Sequence, residues 1–177
     1  HSESLINSST IENVIRLSLD ENRHSKVNKP VISTSQKWLI KILDNKRSSH
    51  AFFGSKVLLV EGEDDKYFFR AVLNHLELKL KKGIAQDISI LDINDKKKHQ
   101  EWRNLFESFG LKVFFVTDFD SVFNFFYSTE TFTKLNNESL VTAFKGIHTD
   151  VISRIDSEYL NANFILKEGD LEFYLDI

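Results

Sequence analysis

Acidic residues directly follow two apolar runs that have the composition of buried β-strands. Glu61 comes after residues 57–60 (VLLV), and Asp118 and Asp120 come after residues 113–116 (VFFV). Two aspartates at a spacing of two on an extended chain point to the same side, so both can face one ion. Acidic residues also follow a weaker apolar run close to the C-terminus. Because ligands of an open parallel sheet collect at the carboxyl ends of its strands, the pattern predicts a common site.

A hard divalent cation would give these carboxylates a shared role. Carboxylates held close together repel one another, and desolvation increases the cost. Mg²⁺ or Mn²⁺ removes the conflict because it takes oxygen ligands and usually keeps waters for substrate phosphates. The residues therefore predict a phosphoryl-transfer or phosphodiester site with Glu61, Asp118 and Asp120 at its core. A single acidic residue in such a place is usually a helix cap, as Asp64 or Asp65 would be, but repetition at three strand ends favours a metal.

The elements that would position this site alternate between strands and helices. Amphipathic patterns, with apolar residues three and four apart, cover residues 67–76 and 102–109. A further helix is predicted for residues 139–159. Buried strands that alternate with such helices are typical of βαβ units, so we predict an α/β fold with a central, mostly parallel sheet flanked by helices. The predicted strands are residues 57–60, 88–93, 113–116 and 163–166.

The first 50 residues differ from the rest in being polar and rich in Ser and Asn. Apolar residues at helical spacing predict one helix over residues 11–19 and a second around residues 38–43, with Pro30 in the loop between them. We therefore expect residues 1–50 to form a helical extension or linker, and residues 51–177 to form the α/β domain.

The composition limits the partners and the setting of the chain. Its 177 residues carry 23 basic and 26 acidic side chains, for a net charge of −3, and no Cys. A slightly acidic protein does not hold DNA by bulk positive charge, so an anionic partner would need a local basic strip or bridging cations. The absence of Cys excludes disulfides and thiolate metal sites and fits a reducing, cytoplasmic setting. The apolar runs are far shorter than the roughly 20 residues of a membrane-spanning helix, so no membrane partner is expected.

Two basic positions lie close to the predicted strand ends. Lys96 opens a run of three lysines after the second predicted strand, and Lys167 follows the last one. Each is most simply a solvated surface lysine, and the alternative is contact with a phosphate.

The sequence contains no phosphate-binding loop, dinucleotide-binding fingerprint, nucleophile elbow or HExxH zinc motif.

The first and third strand ends resemble the TOPRIM domain of topoisomerases, bacterial primases and several nucleases. Its signature is a glutamate after one strand and Asp-x-Asp after another, here in residues 57–65 (VLLVEGEDD) and 116–120 (VTDFD). Within that group the chain is most similar to the OLD (overcoming lysogenization defect) family of nucleases. Three segments carry this likeness: residues 52–56 (FFGSK), 94–96 (NDK) and 166–175 (LKEGDLEFYL).

The resemblance implies a DNA endonuclease that uses two divalent ions, Mg²⁺ or Mn²⁺. Glu61 and Asp65 would serve one ion together with Asp118. Asp120 and Glu172 would lie near the second. Two ions can stabilise both the attacking water and the leaving oxygen of an in-line displacement.

The resemblance also implies a catalytic lysine and further partners. Lys96 and Lys167 are the candidates for this lysine, as is a residue beyond Ile177. Full-length members place an ABC-type ATPase before the nuclease, and many act in antiphage defence. Because this chain has no phosphate-binding loop, it would be the C-terminal nuclease portion, with residues 1–50 leading from the ATPase. DNA, that ATPase domain and a second copy of the chain are the expected partners.

Two other classes of function remain open on the sequence. A signalling receiver domain also places acidic groups after its first and third strands, and Asp118 would then accept a phosphoryl group with Lys167 as its partner. Receivers put adjacent acidic residues at the first strand end, whereas Glu61 is followed by Gly62. The second class is an inactive TOPRIM module that serves assembly. Primase and topoisomerase functions rank lower, because the zinc ribbon of the former and the tyrosine-bearing domain of the latter would have to lie outside this chain.

Overall fold

The computed structural model describes residues 6–20, 22–46, 48–118, 163–166 and 170–175. The chain divides into two compact units, His1–Phe114 and Phe115–Ile177. Within the described residues, the strands and helices are β1 (Arg16–Leu19), β2 (Ser25–Asn28), α1 (Thr34–Asn45), β3 (Lys56–Val60), α2 (Glu63–Leu80), α3 (Ile84–Asp87), β4 (Ile88–Asp92), α4 (His99–Ser108), β5 (Lys112–Thr117), β6 (Asn163–Ile165) and α5 (Leu171–Leu175). The helix predicted for residues 139–159 lies outside the described residues.

The centre of the first unit is a pair of parallel strands, β3 and β4. Both are short runs rich in β-branched and aliphatic residues, which is typical of parallel strands covered on both faces. Their register sets Val60 opposite Asp92. The pairing continues past the strands, since Ile93 N–H donates to the Val60 carbonyl and Asn94 N–H to the Glu61 carbonyl, both at 3.0 Å. The two strands therefore end at the same edge, and β5 is the other neighbour of β3.

The second unit contains the end of β5 and a further strand. Phe115 lies opposite Asn163 and Thr117 opposite Ile165 in a parallel pairing. Leu166 N–H donates to the Thr117 carbonyl at 3.0 Å, so these two strands also end side by side. The prediction of an α/β fold with a mostly parallel sheet is confirmed, including the weak strand near the C-terminus.

Helices α2 and α4 confirm the two amphipathic patterns of the first unit. Helix α2 contacts both β3 and β4. Trp102, Leu105 and Phe106 of α4 are buried. The rings of Phe106 and Phe109 lie 5.2 and 5.0 Å from the ring of Phe52, which precedes β3. No helix in the described ranges has the length and apolar character needed to cross a membrane.

The prediction of a helix over residues 11–19 is wrong, because only residues 11–13 form a turn of 3-10 helix and residues 16–19 are strand β1 of a β-hairpin with β2. The connection between the strands depends on Asp20, whose carboxylate accepts the backbone N–H groups of Asn22 and His24, both at 2.8 Å. Such local bonds from an Asp side chain favour a turn over a continuing helix. Leu19, which the helical pattern would have buried, is 66% exposed.

The second N-terminal prediction is confirmed by α1, which contains residues 38–43. Its start is fixed by a reciprocal cap between Ser33 and Gln36. The Ser33 hydroxyl accepts the Gln36 N–H at 3.3 Å, and the Gln36 side chain accepts the Ser33 N–H at 2.9 Å. This capping box satisfies two backbone donors that a helix start would otherwise leave without partners.

The guanidinium of Arg16 attaches the hairpin to the α/β part of the first unit. Its Nη2 donates to the Gly54 carbonyl at 2.7 Å and its Nε to the Phe52 carbonyl at 3.3 Å. Its Nη1 donates to the carbonyls of Phe109 and Gly110, at 3.1 and 3.4 Å. One cation thus satisfies carbonyls both before β3 and after α4, and the hairpin is part of the first compact unit.

We expect Arg16→Ala to lower the free energy of unfolding by about 2 kcal/mol, because hydrogen bonds from a charged donor to these carbonyls would be lost. Urea denaturation followed by circular dichroism measures the change. Lys26→Ala, at an exposed position of β2, is the control and should change stability by less than about 0.5 kcal/mol. Equal effects of the two substitutions would contradict the role assigned to Arg16.

Candidate functional site

Glu61 stands directly after β3, at the carboxyl end of a buried strand, as the sequence led us to expect. Its side chain is half-buried. Its backbone carbonyl accepts the N–H of Asn94, which follows β4, so the ends of the two strands are tied together at its position. The carboxylate of Glu61 is therefore carried by a segment whose backbone is fixed by pairing.

Asp65 lies in the first turn of α2, close to Glu61 along the chain. Its Oδ2 accepts the backbone N–H of Gly62 at 3.0 Å, which satisfies a donor at the helix start. Asp65 thus has the capping role that the sequence allowed for it. A carboxylate has two oxygens with about four acceptor sites, so a capping role is compatible with binding a cation. Glu61 and Asp65 therefore lie on the same short segment, residues 61–65.

The remaining predicted metal ligands belong to the second unit. Asp118 directly follows β5 and is half-buried. Glu172 is the second residue of α5 and is exposed. Asp120 and Lys167 lie outside the described residues, so their roles stay predictions.

The three lysines that follow β4 form a turn of 3-10 helix, Lys96–Lys98. The Nζ of Lys98 lies 4.0 Å from the centroid of the Trp38 ring and 3.8 Å from a carboxylate oxygen of Asp95. These contacts give Lys98 a local partner on each side and fit a surface role. The side chain of Lys96 is not among those described, so its proposed contact with a phosphate stays a prediction.

Asp92 is a charged residue of this edge that the sequence reading overlooked. It is the last residue of β4 and only 8% exposed. Its Oδ1 accepts a hydrogen bond from Lys66 Nζ at 3.1 Å. Its Oδ2 accepts a hydrogen bond from Lys46 Nζ, which also contacts the Asp92 backbone carbonyl at 3.2 Å. We call these three residues the Asp92 cluster.

The Asp92 cluster joins parts of the chain that are far apart in sequence. Lys46 is the residue that ends α1, and Lys66 lies in the first turns of α2. The sequence shows that Asp92 interrupts an otherwise apolar strand. It does not show which residues pair with Asp92, because the pairing depends on how α1 and α2 pack beside β4.

Two opposing effects act on the Asp92 carboxyl. Burial raises its pKa, whereas the hydrogen bonds and positive charges of Lys46 and Lys66 lower it, and the lysines outweigh the burial. The pKa of Asp92 therefore lies below its ordinary value, and the carboxylate is ionised at neutral pH.

The donor chemistry of the predicted site suits a hard divalent ion. Glu61, Asp65, Asp118 and Glu172 offer carboxylate oxygens only, which Mg²⁺ and Mn²⁺ prefer. Among the described residues, no three acidic or histidine side chains are grouped closely enough to hold a metal. The residue types fit the ion, and the assembly of the ligand set stays a prediction.

A mixed α/β fold with a glutamate after one parallel strand and an aspartate after another is consistent with a TOPRIM-like fold. Residues 52–120 match the family model described as "Overcoming lysogenization defect protein-like, TOPRIM domain". The match includes Glu61, Asp65, Asp118 and Asp120 and confirms the family resemblance over this segment. TOPRIM domains generally bind divalent metals in nuclease, topoisomerase or primase chemistry, so the match indicates a metal-dependent, nuclease-type function on nucleic acid. No curated protein matches the chain.

We expect Asp92→Asn to lower the free energy of unfolding at pH 7 by about 2 kcal/mol, because two charge-assisted hydrogen bonds are weakened. The folded-state pKa of Asp92 is depressed, so its stabilising effect is complete above the unfolded-state value of about 4. This effect is lost as the pH falls through the lower folded-state pKa. The stability curves of wild type and variant should therefore converge as the pH falls through that folded-state pKa.

Urea denaturation at a series of pH values measures both curves. Glu107→Gln, at an exposed position of α4, removes one acidic charge from the same unit and serves as the control. It should differ from wild type by less than about 0.5 kcal/mol at pH 7. A difference between Asp92→Asn and wild type that stays constant as the pH is lowered through the acidic range would show that the ionised carboxylate is not what stabilises the fold.

Proposed function

We propose that this chain is a divalent-metal-dependent DNA endonuclease that hydrolyses phosphodiester bonds with two ions, Mg²⁺ or Mn²⁺. The observation that carries the proposal is the OLD-like TOPRIM match over residues 52–120, which ends on the Asp-x-Asp pair. The position of Glu61 after β3 and of Asp118 after β5 supports it, because each carboxylate stands at the carboxyl end of a strand.

The carboxylates have separate roles in this proposal. Glu61 and Asp65 hold one ion together with Asp118, while Asp120 and Glu172 hold the second. When bound, such ions stabilise the attacking water and the leaving oxygen of an in-line displacement. The tied ends of β3 and β4 fix the backbone of Glu61, so its carboxylate needs little reorganisation to hold a cation.

A lysine completes the proposed machinery, and Lys96 and Lys167 are the candidates within this sequence. An ammonium group beside the ions would stabilise negative charge that develops on the phosphate oxygens. The family resemblance further supports an ABC-type ATPase domain as a partner in a longer chain and a role in antiphage defence. A homo-oligomer is a further proposal that follows from the same resemblance.

We expect Asp118→Ala and Glu61→Gln each to reduce Mn²⁺-dependent nicking or cleavage of plasmid DNA by at least a hundredfold, because each removes a carboxylate ligand. Gel assays with and without EDTA measure the rate. Asp64→Asn is the matched control, since Asp64 is an exposed acidic residue in the same turn as Asp65. It should retain activity within about threefold.

Full cleavage by Asp118→Ala would exclude the proposed mechanism. Stoichiometric labelling of Asp118 by a small phosphodonor would instead favour a receiver domain. The family match over residues 52–120 supports the nuclease over that alternative.

We expect Mn²⁺ to raise the melting temperature of the wild-type chain and to have a much smaller effect on a Glu61→Gln/Asp118→Ala variant, because an ion that binds only the folded state stabilises it. A thermal melt at increasing Mn²⁺ concentration measures this shift without reference to DNA. A shift in the wild-type chain without hydrolysis of any DNA would support the inactive assembly module. The absence of any shift would contradict the metal site itself.

A further inference from the structure

We propose that Lys46 and Lys66, held side by side by Asp92, bind a phosphate group of the nucleic-acid backbone next to the proposed metal site. This inference rests on the proposed function for the identity of its ligand. The proposed pair is distinct from the carboxylates of the metal site and from the catalytic candidates Lys96 and Lys167.

The position of the Asp92 cluster is the first support. The register of β3 and β4 sets Asp92 opposite Val60, the residue before Glu61. The Asn94 N–H bond to the Glu61 carbonyl extends this alignment beyond the strands. The cluster therefore lies at the same edge of the sheet as Glu61, where ligands of parallel sheets collect. A polymer whose phosphate reaches ions at Glu61 would have a neighbouring phosphate within reach of this edge.

The charge of the cluster is the second support. Each oxygen of the Asp92 carboxylate accepts one ammonium group, so two positive charges face one negative charge. The side chains of Lys46 and Lys66 are 27% and 29% exposed, whereas that of Asp92 is 8% exposed. The anion is covered, and the surplus positive charge belongs to the groups that solvent can reach. An ammonium group has three donors, so the bonds to Asp92 leave donors for phosphate oxygens.

A second ion pair on the same two strands differs from the Asp92 cluster. Lys56 begins β3, and its Nζ lies 2.5 Å from a carboxylate oxygen of Asp87, the residue before β4. Here one lysine neutralises one aspartate, and both side chains are about 40% exposed (38% and 40%). Counted within the residues of each arrangement, only the Asp92 cluster has more lysines than carboxylates.

Stability alone does not account for the cluster. Replacing a buried ion pair by packed apolar residues is often neutral or stabilising, so a fold does not need such a group at a strand end. Lys46, which lies 46 residues before Asp92 in the sequence, adds a third charge and a further desolvation cost. A pair of cations held in place before the ligand arrives does reduce the side-chain entropy that phosphate binding would cost.

The test is the salt dependence of DNA binding by the full chain in EDTA, where no hydrolysis occurs. Each lysine that contacts a phosphate contributes about 0.9 to the slope of log K against log salt concentration. We expect Lys46→Gln and Lys66→Gln each to reduce that slope by about 1, and the double variant by about 2. Fluorescence anisotropy with a short labelled duplex at 50 to 200 mM salt measures the slopes.

Lys56→Gln is the matched control, because it removes one lysine from the other end of the same strand pair. Its slope should equal that of wild type. Circular dichroism establishes that each variant is folded. If the double variant is unstable, the single variants decide, since each leaves Asp92 with one lysine. A triple variant that adds Asp92→Asn to the two lysine substitutions also removes the buried carboxylate. It allows the slope to be measured without an unpaired buried charge.

The outcomes separate this inference from the proposed function. Reduced slopes in the lysine variants, with no metal-dependent cleavage by wild type, would uphold the phosphate pair and reject the nuclease. Cleavage by wild type with unchanged slopes in the double variant would reject the pair and uphold the nuclease. An equal loss in Lys56→Gln would also reject the pair, because the effect would then be one of net charge.

Inorganic phosphate distinguishes a backbone phosphate from a free one. We expect millimolar phosphate to leave the melting temperature of wild type and of the double variant equally unchanged. A rise of the melting temperature in wild type alone, together with unchanged DNA slopes, would assign the pair to a free phosphate and overturn the assignment to nucleic acid.

Discussion

The parallel pairing of β3 with β4 is the constraint that sets where Glu61 and the Asp92 cluster lie at the ends of these two strands. Because the register sets Val60 opposite Asp92, the residues that follow the two strands begin at the same level. The bond from Asn94 to Glu61 preserves that level beyond the sheet. A shift of the register by one residue would turn each side chain of a strand to the opposite face, and Asp92 would no longer lie opposite Val60.

The N-terminal segment contributes to this edge as well as to the fold. Arg16 donates to backbone carbonyls before β3 and after α4, so these bonds connect the hairpin to the segment that leads into β3. At the end of α1, Lys46 reaches the carboxylate and the carbonyl of Asp92. A segment that composition marks as polar and peripheral therefore supplies one of the two cations at the strand ends.

The net charge of −3 conceals how charge is distributed over the molecule. Carboxylates such as Glu61 and Asp118 supply negative charge that bound cations would reverse locally. Lys46 and Lys66 supply positive charge in excess of Asp92 at the end of β4. Under the proposed function, a nucleic acid would meet a divalent ion at Glu61 and the lysines beside Asp92, and bulk positive charge would be unnecessary.

The sequence by itself determined the strands β3 to β6, the helices α1, α2 and α4, and the placement of Glu61 and Asp118. These features follow from the spacing of apolar residues and from the residue types at the strand ends, which are local properties of the sequence. It misassigned residues 11–19, because the bonds from Asp20 to its neighbours favour a turn that hydrophobic spacing does not register. Only the tertiary structure decided the partners of Asp92. These partners come from α1 and α2. The spacing of apolar residues in a sequence does not show which residues meet when separate elements pack against a strand.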